Sequence, residues 1–331
     1  MQEIGGHTLS IRVEQLERKH IDTAIKLTSY NYALEKAQNE ALPEVSKNYI
    51  SDSIEQLLSH SIGSIAYENS EIIGYLAFVA KSGSSLASSP LYGYGIKHTK
   101  RGEIISRLFQ DTASILCENN YQNLHVDVFA HDSEVLWTYI MSAFAMGVTD
   151  LVRITSVPVG ALLNDYTFKE ICKEDLVIHY RLDIIEFYRD LINHLRVSPV
   201  FYPCNEFLPI ENRFNDFLTD SIRVFAAFEC DRLIGMVCSE PPDRWVSSGD
   251  TQAIHLSDLF VAPDYRKHGV AVALLQFANN ELRKAGIKRI YVTHGTINPT
   301  ARGFWDRHFI NYSYSMTRQI DSSMLGSIRS V

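Results

Sequence analysis

The sequence predicts an α+β protein made of two tandem domains, residues 1–165 and 166–331, each a mixed central β-sheet flanked by helices. Three observations carry this. The 331-residue chain is long enough for two domains of about 150 residues, each burying its own core. Its halves repeat: Ser64–Phe78 (SIAYENSEIIGYLAF) and Val224–Cys238 (VFAAFECDRLIGMVC) each read as two apolar strands around a polar turn, with Gly74 answered by Gly235. Further on, Gly102 and Gly269 each open an amphipathic stretch, and Gly102 to His131 is as long as Gly269 to Asn298.

Each half then reads as an opening strand, one or two helices, a hairpin, a strand, a helix, a strand, a helix and closing strands. In the second half these are a strand near Phe168–Cys172, a helix over Ile184–Leu195, a hairpin over Arg223–Ser239, and a strand over Ile254–Val261. A helix over Gly269–Ala285, a strand over Arg289–Thr293, a helix over Pro299–Arg307 and a last strand through Tyr312–Ile320 complete it. The seam falls at Val157–Tyr166, where Pro158 and Gly160 interrupt the pattern and Asn164-Asp165 supply turn chemistry.

Composition excludes several classes. With 46% hydrophobic and 21% charged residues the chain lies far from the disordered and fibrous extremes. No run approaches the ~20 apolar residues of a membrane span, and Met1–Arg12 lacks a signal-peptide core, so the expectation is a cytoplasmic protein with no membrane partner. The five cysteines, Cys117, Cys172, Cys204, Cys230 and Cys238, form no C-x-x-C pair and read as reduced thiols, with no metal site. A net charge of −8 argues against a nucleic-acid partner. Residues 1–165 hold 12 basic against 19 acidic side chains, but residues 266–318 hold 9 against 2. That basic stretch is expected to meet a small anionic ligand.

Asp258–Leu275, DLFVAPDYRKHGVAVALL, is the most informative segment. A β-rich run ends at Pro263, and Arg266-Lys267-His268-Gly269-Val270-Ala271 leads into a helix with apolar positions at Val270, Leu274, Phe277 and Ala278. A strand, a basic loop and a helix N-terminus together bind phosphate: free N–H groups point outward, the helix dipole favours negative charge, and Arg266 and Lys267 add cationic donors. The loop lacks the Gly-Lys-Ser/Thr ending of a nucleotide P-loop and the G-x-G-x-x-G of a dinucleotide fold, so the kinase, ATPase and dehydrogenase readings lose their main support.

Here the sequence resembles the GNAT superfamily of acyl-CoA-dependent N-acetyltransferases. Leu259–Ala271 is similar to its acetyl-CoA motif, and Asn298-Pro-Thr-Ala301-Arg-Gly-Phe304-Trp305 to its Asn-x-x-Ala-x-x-Phe-Tyr motif. The whole chain looks like a tandem GNAT protein of the bacterial kind with a divergent first copy. The resemblance implies acetyl-CoA as cosubstrate and a small-molecule or peptide amine as acceptor. It implies backbone contacts from Leu259, Phe260 and Val261 to the acyl and pantetheine arm, a pyrophosphate held by Arg266, Lys267, His268, Gly269, Val270 and Ala271, and Asn298 and Trp305 flanking the cofactor.

The sequence departs from that pattern. Trp305 stands where the family often has a tyrosine that protonates the leaving thiolate, and indole is too weak an acid for the task. Tyr314 or Tyr312 on the closing strand is the expected substitute, and Phe309-Ile310 replaces the usual Gly-Phe ending. An amine must lose a proton before attacking a thioester, and Asp258 is the expected base. His255, three residues earlier, faces the opposite side if the strand is regular. Asp258 as a strand-end cap or as a direct ligand of a cationic substrate stays open.

In the first half Thr99 stands for Arg266, Gly102 for Gly269 and Ile104 for Ala271, although Lys97, Lys100 and Arg101 keep the loop basic. That half is expected to lack a cofactor and to shape the substrate cleft. In HVDVFAHD, His125 and Asp127 share a strand face and Asp132 caps the helix from Ser133, the alternative being a metal site. Phe201-Tyr202-Pro203 reads as core or as acceptor-pocket lining. The function implied is acetyl transfer to a primary amine in the second domain, the alternative a non-catalytic acyl-CoA sensor. An aminoacyl-tRNA-dependent ligase fits the acidic first half poorly. A homodimer stays open.

Overall fold

The computed structural model describes residues 11–80, 83–202 and 209–325. Cys204 and Pro203 lie outside them. The chain forms two compact units: residues 1–149 with 312–331, and residues 150–311.

Unit 1 runs β1 (Ile11–Gln15), α1 (Ile21–Gln38), α2 (Lys47–His60), β2 (Ser61–Glu68), β3 (Glu71–Ala80), β4 (Leu86–Ser89), β5 (Tyr94–Ile96), α3 (Arg101–Glu118), β6 (Asn123–Phe129) and α4 (Ser133–Met141), then enters β7 (Ala145–Ile154). Its sheet order is β1-β2-β3-β4-β6, with β5 also on β3. The last strand of the chain, β13 (Ile310–Gln319), pairs antiparallel with β6 from Ser313↔Phe129 to Gln319↔Asn123.

Unit 2 continues with β8 (Thr167–Ile171), α5 (Lys173–Ile178), α6 (Arg181–Arg196), α7 (Ile210–Phe217), β9 (Arg223–Glu229), β10 (Arg232–Glu240), α8 (Trp245–Ser248), β11 (Ala253–Val261), α9 (Val270–Lys284), β12 (Arg289–Gly295) and α10 (Pro299–Trp305). Its sheet order is β12-β11-β10-β9-β8, with the carboxyl-terminal half of β7 beside β12. The linear division at 165 therefore differs from the compact one. Residues 150–165 belong with the second unit and 312–331 with the first, because β13 closes the first sheet and the end of β7 the second.

The unit 2 sheet separates two cores. One lies under α9 and α10 and contains Leu256, Val261, Val270, Leu274, Ala278 and Trp305. The other lies under α5, α6 and α7 and contains Phe214, Phe217, Met236, Cys238 and Phe260. The buried Val270, Leu274, Ala278 and Leu282 recur at helical spacing, so α9 is held by this one face. Leu274 is fully buried, and truncating such a leucine costs about 2–5 kcal/mol. Gly286, at φ 84°, ends the helix in the left-handed conformation that glycine adopts without strain.

Of the expected free thiols, Cys117 and Cys238 are buried and Cys172 and Cys230 exposed. No helix among the described residues is long and apolar enough to cross a membrane.

Candidate active site

β11 follows β12 in parallel register only from Ala253↔Arg289 to Leu256↔Val292, while its pairing with β10 continues to Val261↔Gly235. Beyond Leu256 the two parallel strands part, leaving one backbone edge of β11 facing the gap. A bulge accompanies the parting. The β10–β11 register shifts between Met236↔Phe260 and Cys238↔Ser257, and Asp258 takes φ 49°. The α9-side core accordingly receives Ile254 and Leu256, then Leu259 and Val261, a step of three where a regular strand has two.

That extra residue overturns one expectation. Asp258 and His255 were to face opposite sides, but both join one polar network on the α7 side. Arg213 of α7 donates from Nε (2.9 Å) and Nη2 to Asp258 Oδ2, and from Nη2 to Glu240 Oε2 and Ser257 Oγ at 3.3 Å each. Glu240 is the cross-strand partner of His255, with Oε1 3.4 Å from His255 Nδ1. On the far side of the ring, His255 Nε2 lies 3.3 Å from Thr293 Oγ1, whose hydroxyl donates to Asp150 Oδ1 at 2.6 Å.

Burial pushes the Asp258 carboxyl above its ordinary value, against the pull of Arg213. Burial acts the same way on Glu240, but the His255 ring and the Arg213 guanidinium outweigh it and hold that carboxyl down at about 2. Glu240 is therefore anionic at neutral pH. A cavity of about 380 Å³ opens onto this network, lined by Glu240, His255, Thr293, Asp243, Arg244 and Ser221 among others.

Past the parting, Ala262 N–H donates to Ile234 O at 2.8 Å. By strand alternation the backbone groups of Phe260 also turn toward β10, while those of Leu259 and Val261 face the gap. Phe260 stacks on Phe187 at 4.6 Å. Of the three residues expected to offer backbone contacts, Leu259 and Val261 are the ones so placed.

The loop that follows is exposed from Arg266 to Gly269 and left-handed at Lys267 (φ 65°) and Gly269 (φ 84°). Such turns direct successive N–H groups into one concavity, and α9 starts directly behind at Val270 with the unpaired N–H groups of its first turn. Arg266 is anchored by Nε to Val261 O at 2.8 Å, its guanidinium over the Phe260 ring. Val270 is buried and Ala271 packs on the same core. The residues present thus fit a pyrophosphate.

The other expected positions resolve differently. Asn298 is the N-cap of α10, its side chain accepting from the N–H groups of Thr300 and Ala301 at 3.2 Å each. Trp305 is buried, edge-on to Phe304 (4.9 Å) and Phe309 (5.3 Å), and so fills the core instead of facing a ligand. Tyr314 and Tyr312 belong to compact unit 1, so unit 2 does not itself bring either to the thioester side. Phe201 and Tyr202 are exposed and are not core residues.

Sequence reasoning missed Arg213, Glu240, Thr293 and Asp150. The readable signal was for Glu240, which follows Cys238 on one face of the hairpin strand. It also missed Tyr188 of α6, a half-buried phenol raised by its burial and by the Asp258 charge.

In unit 1, His125 Nε2 bonds Asp127 Oδ1 at 3.0 Å, one strand face as expected. Asp132 stands at the N-cap of α4, but its carboxylate does not cap that helix. It takes Nε (3.0 Å) and Nη2 of Arg101 and the Tyr94 hydroxyl (3.2 Å), because a buried guanidinium is the stronger partner. Among the described residues no group of three or more His, Cys, Asp or Glu could hold a metal ion.

Comparison with known proteins finds a family match for part of the chain. Residues 188–309, spanning the bulged strand, the loop, α9 and α10, match the model of the acetyltransferase (GNAT) family. A GCN5-related N-acetyltransferase from Sphaerobacter thermophilus has the same fold over 93% of this chain and 95% of its own, with a TM-score of 0.56 at 11% identity. The fold over most of the chain is thus the one that this N-acetyltransferase has. A tandem GNAT protein from the clavulanic acid biosynthesis pathway, solved without AcCoA, is 13% identical over 93% of this chain and 98% of its own, with a TM-score of 0.47. A GNAT acetyltransferase from Colwellia psychrerythraea is 11% identical over 94% and 100%, with a TM-score of 0.45. No curated protein matches the chain.

Proposed function

We propose that unit 2 transfers an acetyl group from acetyl-CoA to a primary amine by direct attack, and that unit 1 binds no cofactor. The observation that carries this is the succession of features along β11 and the loop after it in unit 2. The left-handed loop before α9 suits a pyrophosphate, the parting of β11 from β12 suits a pantetheine arm, and an acidic cavity opens beside the bulge. The N–H groups of Leu259 and Val261 on the open edge suit the developing oxyanion, each such donor being worth about 3 kcal/mol in an acyl transfer.

Asp258 sits next to the scissile bond in this reading. Two guanidinium donors occupy its Oδ2, which makes it a poor proton acceptor and a good counter-charge for the attacking nitrogen. Tyr188 takes the place of Tyr314 as the hydroxyl near the leaving thiolate. Glu240 and Asp243 in the cavity wall favour a cationic amine over a neutral or anionic acceptor.

The test is release of free thiol from acetyl-CoA against a panel of primary amines, with amino acids, polyamines and amino sugars as separate arms. Amine-dependent thiol release that is lost in Gly269→Glu supports transfer. Tight acetyl-CoA binding with no release against any arm would instead favour a sensor.

A further inference from the structure

We propose that the segment between β7 and β8 braces the loop before α9, and that Leu163 and Tyr166 are positioning residues that hold the two feet of that loop for a pyrophosphate. The proposal rests on the acyl-transfer reading. It assigns part of the cofactor site to a stretch that precedes residues 188–309, within unit 2.

This is the stretch in which Pro158 and Gly160 interrupt the sequence pattern. It follows one stripe of α9 from the carboxyl-terminal half of the helix to its start. Thr155 O accepts from Asn279 Nδ2 at 2.9 Å. The N–H groups of Val159 and Gly160 donate to Gln276 Oε1 at 2.5 and 3.1 Å. Gly160 then passes so close to α9 that a β-carbon on it would lie 2.7 Å from Val272 Cγ1. Leu163 arrives at Gly269, its Cδ1 3.5 Å from where a β-carbon would stand. Asn279, Gln276, Val272 and Gly269 are spaced as neighbours on one helix face, so the segment meets α9 at each successive turn. Asn279 and Gln276 are buried, and a buried amide that loses such partners is left unsatisfied, which fixes the path.

The far end of the segment reaches the loop on both sides. Leu163 touches Gly269, its last residue, and the Tyr166 ring stands edge-on to Tyr265, the residue before Arg266, at 6.2 Å. Both side chains also pack on the core under α9. Between these feet Arg266–Gly269 is exposed, and Lys267 takes φ 65° without being a glycine. Such a conformation persists only where the flanking structure imposes it. An anion gains most from N–H groups that are already aimed, because no ordering is left to do on binding.

The test compares two ligands on the full chain carrying Gly160→Val or Leu163→Ala. Acetyl-CoA is titrated by calorimetry, and S-acetylpantetheine, which has the acyl arm without the pyrophosphate, by ligand-observed NMR. Gly160→Val lifts the segment off Val272 without touching the loop. Leu163→Ala adds no clash and keeps the test open where Gly160→Val fails to fold. Each variant is expected to bind acetyl-CoA at least about tenfold more weakly, with S-acetylpantetheine affinity unchanged, and Leu163→Met is expected to restore wild-type affinity. Acetyl-CoA affinity unchanged in both variants overturns the proposal. So does a parallel loss of both ligands, which marks the segment as a support of the fold alone. Wild type that binds acetyl-CoA beside unchanged variants defeats only this inference, whereas wild type that binds none defeats the acyl-transfer reading.

Discussion

Gly102 and Gly269 occupy matching places in the two units, yet each is a glycine for a different physical reason. Gly269 stands outside its helix at φ 84°, and a β-carbon there would meet nothing closer than Leu163 at 3.5 Å. Its need is backbone conformation. Gly102 lies inside α3, which starts at Arg101, and a β-carbon on it would come within 2.9 Å of Thr138 Oγ1 on α4. Its need is close helix packing. In unit 1 the helix has wound through the residues that unit 2 keeps as a left-handed loop.

The charges follow the backbone. Gly102 N–H, at the start of α3, donates to Glu134 Oε2 at 3.0 Å, so a carboxylate of the same unit already sits where the second unit leaves room for an anion. Arg101, the cation matching His268, is turned inward onto Asp132, Ile96 O and Asn31. On the proposed reading a phosphate site needs unspent N–H groups and outward cations, and unit 1 satisfies both internally.

The largest expected effect tests what the units share, a half-buried guanidinium clamp. Arg213→Met strands Asp258 and Glu240, and Arg101→Met strands Asp132. Each should lower stability by about 3–5 kcal/mol, read from urea denaturation. A loss under 1 kcal/mol in either would mean that its pair is solvated.

A second effect is confined to unit 2. The Glu240 carboxyl, at about 2 in the fold against an ordinary 4.5, contributes stability that is fully present above the unfolded value and lost as pH falls through 4.5 toward 2. The loss should be roughly 2–3 kcal/mol and should vanish in Glu240→Gln, as checked by denaturation at stepped pH.

The smallest effect sharpens the contrast. Glu134→Ala frees the α3 N-terminus at a cost under about 1 kcal/mol. It should create no acetyl-CoA site, because the helix still fills the loop and Arg101 still faces inward. A second equivalent bound by this variant would make Glu134 alone the cause of the difference.

Element order was legible because both units repeat one apolar pattern around Gly74 and Gly235 and around Gly102 and Gly269. The loop before α9 was legible because its residues are contiguous in the chain. The polar network was not, since Asp150, Arg213, Glu240, His255 and Thr293 come from five elements that meet only across the sheet. The bulge at Asp258 was hidden for another reason: one extra residue in an apolar strand leaves its composition unchanged while moving a carboxylate to the other face. Trp305 showed its departure in the sequence, but its place in the core came from packing. That Tyr314 falls in unit 1 was hidden because strand order along the chain does not reveal which sheet a closing strand completes.

We expect one cofactor site, in unit 2. Calorimetric titration of acetyl-CoA into wild type and Gly269→Glu tests this most directly. The substitution forces a β-carbon into a left-handed position, at about 1–2 kcal/mol, and sets a negative charge in the cradle. One equivalent bound by wild type, and at least about a hundredfold weaker binding by the variant, is the predicted result. Two equivalents, or one that survives the substitution, would contradict it.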